Sequence, residues 1–192
     1  MDSHLQIISG KERGRRLAMP PAARPTQNRS RIALFNMMDS LQMASSTSNL
    51  KLQTSNLVVW DAFAGSGAFG IEFLSRSAAK SVIFTDVDTE SVKTVHKNLV
   101  GIDGDVIVRK ADALDSAAQF GKIADIIFID PPYALFETGE RLVAKLSEIA
   151  RKGAVIVWEM PKNARPKIAG NLVVLKDKTY GAARFLILRL NE

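Results

Sequence analysis

From residue 57 onward, short apolar runs rich in Val and Ile alternate with stretches whose apolar residues recur at helical spacing. The apolar runs predict strands over 57–62, 81–85, 105–109, 124–130 and 154–159. The stretches between them predict helices over 68–78, 88–100, 113–120 and 136–151. This alternation is typical of a parallel sheet with helices on both faces. The large aromatic residues of these elements are expected in the core: Trp60, Phe63, Phe69, Phe73, Phe84, Phe128 and Trp158.

The alternation of predicted strands and helices stops near the end of the chain. Two strand-like runs, 172–176 and 184–190, are joined by a stretch that contains Tyr180-Gly181, and no helical pattern separates them. They predict a closing hairpin. The sheet is therefore expected to have seven strands and to be mixed rather than purely parallel.

The first 56 residues follow a different pattern. Residues 5–19 read as a short β-hairpin that turns at Ser9-Gly10-Lys11, and prolines then interrupt the chain. A helix capped by Thr26 or Asn28 is expected to run to about residue 43, and the polar stretch that follows reads as a linker. We therefore expect an N-terminal extension over 1–44, a linker over 45–56 and an α/β domain over 57–192.

Composition removes several classes of function. The chain of 192 residues contains no cysteine, which excludes disulfides, thiolate metal sites and a cysteine nucleophile. Histidine occurs only at His4 and His96, so neither a histidine triad nor a metal site is expected. No apolar run is long enough to span a bilayer, and no signal-peptide pattern is present. The chain is therefore expected to be a cytoplasmic monomer with no membrane partner.

The net charge of +6 is unevenly placed. Residues 1–31 contain seven basic side chains against two acidic ones. Clustered Arg and Lys favour a polyanionic partner, because phosphates neutralised by them release counterions. A solvated basic arm would give the same count, so charge alone leaves both interpretations open. The residues expected to contact such a partner are Lys11, Arg13, Arg15, Arg16, Arg24, Arg29 and Arg31.

A glycine-rich loop follows the first predicted strand of the α/β domain. Gly65, Gly67 and Gly70 fit the nucleotide-binding pattern, in which glycines allow a tight turn and close approach of a ligand. Asp86 ends the next predicted strand, nineteen positions after Gly67, where its carboxylate can accept hydrogen bonds from ribose hydroxyls. Asp88, close by, is instead expected to cap the following helix. A tight turn without a ligand is the alternative.

Two features favour S-adenosylmethionine over a dinucleotide: Asp61, and the tetrapeptide Asp130–Tyr133 that ends the fourth predicted strand beside the glycine loop. Asp61 precedes the glycines, where its carboxylate attracts an ammonium group and repels a pyrophosphate. Asp112 follows the third strand at the same edge, where it can accept a hydrogen bond from an adenine amine. The residues expected to hold the cofactor are Asp61, Phe63, Ala64, Gly65, Ser66, Gly67, Asp86, Val87, Asp112 and Ala113.

The fourth predicted strand ends in the tetrapeptide Asp130-Pro131-Pro132-Tyr133. An exocyclic base amine is a poor nucleophile because its lone pair is delocalised into the ring. The Asp130 carboxylate and the Pro131 carbonyl can each accept a hydrogen bond from one of its two N–H groups, which favours the pyramidal nitrogen that attacks. The prolines hold that geometry stiffly, and the Tyr133 ring offers a platform for a base. All four residues are therefore catalytic candidates, although a proline-rich turn is the plain alternative. Glu159 ends the fifth strand at the same edge, and its role is left open.

With these residues in view, the chain resembles the RsmD family, bacterial methyltransferases that act on guanine N2 of small-subunit (16S-type) ribosomal RNA. The resemblance covers nearly the full length and departs from the family pattern at Asn28 and Ile32, where the family has acidic residues. It implies a Rossmann-like S-adenosylmethionine-dependent fold, an N-terminal RNA-binding extension, and small-subunit rRNA or an assembled small subunit as partner. The matching segments are residues 7–11, 14–15, 24–26, 33–36, 61–76, 130–133 and 180–181, together with Arg29 and Arg31.

Two other functions fit part of this pattern. Proline-pair loops also serve methylation of adenine N6 or of other amines in DNA and RNA, and of a protein glutamine. The basic extension argues against the glutamine substrate. A non-catalytic RNA-binding assembly factor on the same scaffold would keep the basic extension but would bind no cofactor.

Overall fold

The computed structural model describes residues 5–21, 28–44 and 57–191 of the protein. The helices of these ranges are α1 (Asn28–Ala44), α2 (Ala68–Ser75), α3 (Thr89–Leu99), α4 (Ala113–Phe120) and α5 (Phe136–Ile149). The strands are β1 (Leu57–Asp61), β2 (Ala79–Asp86), β3 (Asp105–Lys110), β4 (Ile126–Ile129), β5 (Val155–Pro161), β6 (Leu172–Tyr180) and β7 (Ala183–Leu190).

The seven strands form one sheet in the order β3-β2-β1-β4-β5-β7-β6. The first five strands run parallel, whereas β7 is antiparallel to both β5 and β6. The predicted mixed sheet of seven strands is therefore confirmed. The strand order reverses between β1 and β4, which is where ligands bind in open α/β sheets.

Alternate residues along each strand enter two separate cores. Val59 on β1 packs into the core that contains side chains of α1, α2 and α3, and Trp60 packs into the core that contains α4 and α5. Successive side chains of a strand point to opposite faces, so each face of the sheet is covered by helices, as predicted. The face covered by α1, α2 and α3 is called the α1–α3 face below.

Several boundaries differ from the prediction for local reasons. Helix α2 ends at Ser75 rather than at residue 78, and Ser77 adopts a positive φ of 55°, which is incompatible with a continuing helix. Strand β6 continues to Tyr180, beyond the predicted residue 176, because it pairs with β7 as far as Ala183. The other predicted elements of the α/β domain are found within a few residues of their expected bounds.

The N-terminal hairpin is present and packs against the C-terminal end of α2. Gln6 and Arg16 form an antiparallel bridge, and the turn spans residues 9–14, which is longer than predicted. The Glu72 side chain is fully buried, and its carboxylate accepts hydrogen bonds from the amides of Ile8 (2.8 Å) and Ser9 (2.9 Å). A buried carboxylate with several donors is strongly held, so Glu72 ties the hairpin to the domain.

Arg31 on α1 lies in a different environment from the exposed position expected for an RNA contact. Its side chain is only 3% exposed and donates a hydrogen bond to the carbonyl of Gln6. Burial lowers the pKa of its guanidinium, and the carboxylate of Glu72 opposes that shift. The expectation that Arg31 grips phosphate is therefore corrected, because its guanidinium joins α1 to the hairpin inside the protein.

The expected linker, 45–56, lies outside the described residues. None of the helices in the described ranges is long and apolar enough to cross a bilayer.

Candidate active site

The glycine loop and the tetrapeptide meet at the carboxyl edge of the sheet. Strand β1 leads into the loop and β4 leads into the tetrapeptide, and these two strands are neighbours. The amide of Ala62 donates to the carbonyl of Phe128 at 3.0 Å, so the two strand ends are joined directly. The two motifs that the sequence singles out therefore occupy one site.

Three carboxyl groups lie on the α1–α3 face at this edge. Each acid lies two residues after a core residue of this face, and side chains two residues apart on a strand point to the same face. The pairs are Val59 and Asp61, Phe128 and Asp130, and Val157 and Glu159. Ile129 pairs with Trp158, which places Asp130 and Glu159 at equivalent positions beyond that pair. Side-chain alternation therefore places acids from three adjacent strands on one face. Asp61 is level with Phe128, so Asp130 and Glu159 lie two residues further along their strands.

Asp61 is the most enclosed of these acids. It is 1% exposed, and its Oδ2 accepts a hydrogen bond from the amide of Gly70 at 3.2 Å. Its Oδ1 is buried and has no hydrogen-bond partner among the described residues. Burial raises the pKa of Asp61 well above its ordinary value; the Gly70 amide opposes this shift, and Asp130 and Asp86 add to it. A buried acceptor without a donor is costly, so a ligand that supplies a donor would stabilise the ionised carboxylate.

Asp86 and Asp112 organise the loops beside it. The carboxylate of Asp86 accepts from the amides of Gly65 (2.8 Å) and Asp88 (2.9 Å), which fixes the glycine loop against the end of β2. Asp112 caps α4, and its Oδ1 accepts from the amide of Leu114 at 2.7 Å. The predicted role of Asp88 as a helix cap is confirmed, since its side chain accepts from the amide of Ser91.

The exposed surface beside Asp86 includes an apolar side chain. Val87, which follows Asp86, is 58% exposed at the carboxyl edge. Ala113, which follows Asp112, is 2% exposed. An exposed valine beside a carboxylate gives a flat apolar contact next to a hydrogen-bond acceptor, which suits a nucleoside.

The three glycines of the loop have different physical roles. Gly65 has a φ of +53°, and a Cβ there would meet only the Phe63 carbonyl, at 4.0 Å, so its outer side is open. Gly67 has a φ of +76° and begins α2. A Cβ at Gly70 would lie 2.4 Å from the ring of Phe84, so this glycine lets α2 pack closely on the sheet. An open turn followed by close packing is the geometry of a nucleotide-binding loop.

The tetrapeptide forms one wall of the site. Pro131 is buried, whereas Tyr133 is 39% exposed and begins a single 3-10 turn, Tyr133–Leu135. Behind this wall, Phe136 stacks on Trp158 with ring centroids 5.4 Å apart. A Cβ at Gly139 would lie 3.0 Å from Pro131, so this glycine lets α5 support the prolines. The wall is therefore rigid, and the Tyr133 ring is accessible.

Asp130 and Glu159, the two acids on this side of the site, have raised pKa values. Burial raises the pKa of Asp130 to about 7. Burial, and then the charge of Asp130, raise the pKa of Glu159 to about 9. Glu159 is 6% exposed, and its Oε2 has no hydrogen-bond partner among the described residues. Near neutral pH, the pair therefore retains a proton while Asp130 is close to its titration midpoint.

Of the basic residues predicted to contact RNA, those described in the hairpin turn lie away from this edge. Lys11 and Arg13 are exposed in the hairpin turn, and Lys11 donates its amide to the carbonyl of Ser75, where α2 ends at the opposite edge of the sheet. Arg16 is exposed on the hairpin strand, whereas Arg15 is partly buried and bonded to Glu12 and to the carbonyl of Val100. Arg24 lies outside the described residues, and the side chain of Arg29 is not described.

Sequence reasoning missed one polar residue that joins the extension to the glycine loop. Asn98 on α3 is buried, and its side chain pairs with both the amide and the carbonyl of Ala18 (2.8 and 2.9 Å). Its amide nitrogen also donates to the carbonyl of Ser66 at 2.8 Å. The only signal in the sequence is a polar residue near the end of an amphipathic helix, and many surface residues share it.

The fold is that of Rossmann-like methyltransferases. The solved Escherichia coli protein yhhF superposes with a TM-score of 0.77 at 28% identity, with 98% of each chain covered. The rRNA methyltransferase aviRa from Streptomyces viridochromogenes has a TM-score of 0.65 over 91% of this chain and 88% of its own, and its 18% identity makes this a likeness of fold alone.

Residues 5–189 match the family model described as "Conserved hypothetical protein 95". The Escherichia coli protein "Ribosomal RNA small subunit methyltransferase D" is 30% identical over 186 residues, which cover 94% of this chain and 87% of the relative. The chain belongs to this family, the RsmD family, as its sequence motifs predict.

Proposed function

We propose that this protein transfers a methyl group from S-adenosylmethionine to the exocyclic N2 of a guanine in small-subunit ribosomal RNA. The observation that carries the proposal is the group of acids at the carboxyl edge, in which Asp61 ends the strand next to β4 and Asp130 directly follows β4. One acid is suited to a cationic cofactor group and the next to an amine substrate.

The residues at the edge fit the cofactor. The buried Oδ1 of Asp61 has no donor among the described residues, and an ammonium group would supply one. Asp86 presents a carboxylate for ribose hydroxyls, Asp112 and Val87 border the place for an adenine, and the open side of Gly65 admits the cofactor to the backbone. When bound, S-adenosylmethionine supplies a methyl group on a positively charged sulfur, which makes that methyl electrophilic.

The chain's own residues prepare the amine. The ionised carboxylate of Asp130 accepts a hydrogen bond from one N–H group of the amine, and the carbonyl of Pro131 accepts one from the other. The amine nitrogen thereby becomes pyramidal, and its lone pair becomes available to attack the methyl carbon. The bond between that carbon and the donor sulfur would break, with its electron pair left on the sulfur, and one N–H proton would pass to the Asp130 carboxylate. These acceptors bind the pyramidal nitrogen better than the planar one, so they lower the barrier rather than only holding the substrate. Tyr133 stacks on the base and fixes its plane.

Guanine in rRNA is the substrate that family membership favours. The curated relative carries rRNA and the small subunit in its name, and the motifs of the chain match that family across both the extension and the domain. Such a substrate also places the reaction in the cytoplasm, where small subunits assemble.

The test is transfer of labelled methyl groups to small subunits from a strain that lacks this protein, followed by nucleoside mass analysis. The wild-type protein is expected to produce N2-methylguanine, and Asp130→Ala is expected to lower kcat by at least about 100-fold, the usual loss for an oriented transition-state group. Glu148→Ala is the matched control, since Glu148 is an exposed acid on α5 outside the site. Methylated adenine as the product, or full activity in Asp130→Ala, would contradict the proposal.

A further inference from the structure

A second basic region lies at the C-terminal end of the chain. Residues 161–190 contain seven basic side chains and a single acidic one, Asp177. Residues 32–160 are by contrast acidic, with sixteen Asp and Glu against twelve Lys and Arg. The positive charge of the protein is therefore divided between its two ends.

Strand pairing brings part of this region to the edge that holds the acids. Glu159 on β5 pairs with Phe185 on β7, which in turn pairs with Lys178 on β6. Directly paired residues of antiparallel strands point to the same face, so Lys178 lies on the α1–α3 face in the row that contains Glu159. Strand β6 is three strands from β4, which is roughly 15 Å at the usual strand spacing.

The only acid of the region is already neutralised. Arg184 donates to both carboxylate oxygens of Asp177, at 2.8 and 2.6 Å. The charges of this pair cancel locally, and the lysines therefore determine the potential of the surface around it. Lys162, Arg165, Lys167 and Lys178 are all exposed.

Two hydrogen bonds join the loop after β5 to the β6–β7 hairpin. The Arg184 side chain also donates to the carbonyl of Ala164 at 2.8 Å, and the amide of Lys162 donates to the carbonyl of Ala182 at 2.9 Å. Lys162 is therefore held beside the tip of the hairpin. The loop that carries Lys162 and the hairpin that carries Lys178 are therefore held together at the carboxyl edge.

An aromatic ring completes this surface. Tyr180 ends β6, is 37% exposed, and lies with its ring centroid 6.3 Å from that of Phe185. It pairs with Ala183, which places it on the α1–α3 face as well. Lysines interleaved with an accessible aromatic ring are the usual features of a surface that binds a single nucleic-acid strand.

We propose that Lys162, Lys178 and Tyr180 form a second RNA-contacting surface, which holds the strand on the side of the active site opposite the glycine loop. The lysines neutralise phosphates, and the Tyr180 ring stacks on an unpaired base. This inference rests on the proposed function for the identity of the ligand. It gives the RNA a basic contact at the carboxyl edge, whereas Lys11 and Arg13 of the extension lie toward the other edge.

The experiment measures binding of in vitro transcribed small-subunit rRNA over a range of salt concentrations, together with methyl transfer to undermethylated small subunits. The variants are Lys162→Ala combined with Lys178→Ala, and separately Tyr180→Ala. The matched control is Lys122→Ala combined with Lys152→Ala, since these exposed lysines precede β4 and β5 at the opposite edge of the sheet. Thermal unfolding of each variant checks that the fold is intact.

The double lysine variant is expected to reduce the slope of log K against log salt by about 1.4, which is the loss of two phosphate contacts to a single strand. Tyr180→Ala is expected to weaken binding by between about 5-fold and about 100-fold, while Tyr180→Phe retains wild-type affinity. In the transfer assay, KM should rise while kcat stays within about twofold of wild type, because uniform binding is lost.

An unchanged salt slope and KM in the double variant, or the same loss in the control, would overturn the second surface. If the wild-type protein transfers no methyl group to small subunits, the proposed function fails, but the salt slope of rRNA binding still decides the role of the hairpin. The two failures are therefore distinguishable.

Discussion

Glu159 lies beside Asp130, one strand over and on the same face of the sheet, and the charge of Asp130 helps to raise the pKa of Glu159. Two buried carboxyl groups at this separation are not ionised together at low energetic cost. Since Glu159 holds its proton to higher pH, Asp130 is the member of the pair that becomes ionised near neutrality. This ordering gives the two acids different roles.

The first prediction concerns the pH dependence of methyl transfer. Asp130 must be ionised to accept a hydrogen bond from the amine, and burial raises its pKa to about 7. The rate is therefore expected to rise with pH through about 7 and to fall roughly tenfold for each pH unit below it. Single-turnover rates between pH 5.5 and 8.5 measure this. A rate that is constant from pH 5.5 to 7.5 would show that Asp130 is ionised throughout.

A second prediction concerns the activity of Glu159→Gln. Because the raised pKa of about 9 keeps Glu159 neutral at pH 7.5, the neutral amide is expected to preserve kcat within about fivefold, the effect of one altered hydrogen bond. Glu159→Ala, which leaves a space beside Asp130, serves as the contrasting variant and is expected to lose more activity. If Glu159→Gln is as inactive as Asp130→Ala, the ionised form of Glu159 is required and the assignment is wrong.

The same substitution makes a third prediction, on stability. The folded-state pKa of Glu159 is raised above the unfolded value, so the native protein binds the extra proton between pH 4.5 and about 9. The free energy of unfolding of the wild type is therefore highest, with respect to this group, below pH 4.5, and it decreases as the pH rises from 4.5 to about 9. Glu159→Gln is therefore expected to be progressively more stable than wild type toward pH 9, by on the order of 1–4 kcal/mol.

Urea unfolding of the ligand-free protein at pH 5, 7 and 9 measures this difference. Glu148→Gln is the control, because Glu148 is exposed and its stability difference should be the same at each pH. A difference between Glu159→Gln and wild type that does not change with pH would contradict the raised pKa. An acid that destabilises the ligand-free fold is a feature expected of functional sites.

The α/β domain and its glycine loop could be predicted from sequence because their signals are local. Apolar runs define the buried strands, and Gly65 and Asp130 directly follow strands whose carboxyl ends share one edge. The role of Glu72 could not be predicted, since its partners Ile8 and Ser9 are distant in the chain. In the sequence, Glu72 is an acidic residue in a short helix, and such residues are normally exposed to solvent.

The distribution of charge shows the same limitation. Counting basic residues along the chain draws attention to residues 1–31, where they are dense, but Arg31 is buried and Lys11 lies at the edge away from the acids. Lys162 and Lys178 are separated along the chain, and only the pairing of β5, β7 and β6 brings the strand ends that carry them together. The density of basic residues along the sequence does not reveal this proximity.

The last prediction compares two glycines of the hairpin that have nearly the same backbone conformation. Gly10 has a φ of +85° and Gly14 a φ of +83°, so replacement by alanine imposes a similar backbone strain at both, about 1–2 kcal/mol. A Cβ at Gly10 would lie 2.0 Å from the carbonyl oxygen of Ser75, whereas a Cβ at Gly14 meets nothing within 4 Å. Because the clash is with backbone rather than with a flexible side chain, Gly10→Ala is expected to separate the hairpin from α2.

The expected result is a loss of at least about 3 kcal/mol in the free energy of unfolding for Gly10→Ala and no more than about 2 kcal/mol for Gly14→Ala. Limited proteolysis should cut the hairpin of the first variant much faster than that of the second, with the α/β domain left intact in both. Equal losses in the two variants would mean that φ alone, rather than the contact with Ser75, makes glycine necessary at residue 10. The buried Glu72 would in that case hold the hairpin in place without the close approach of Gly10 to α2.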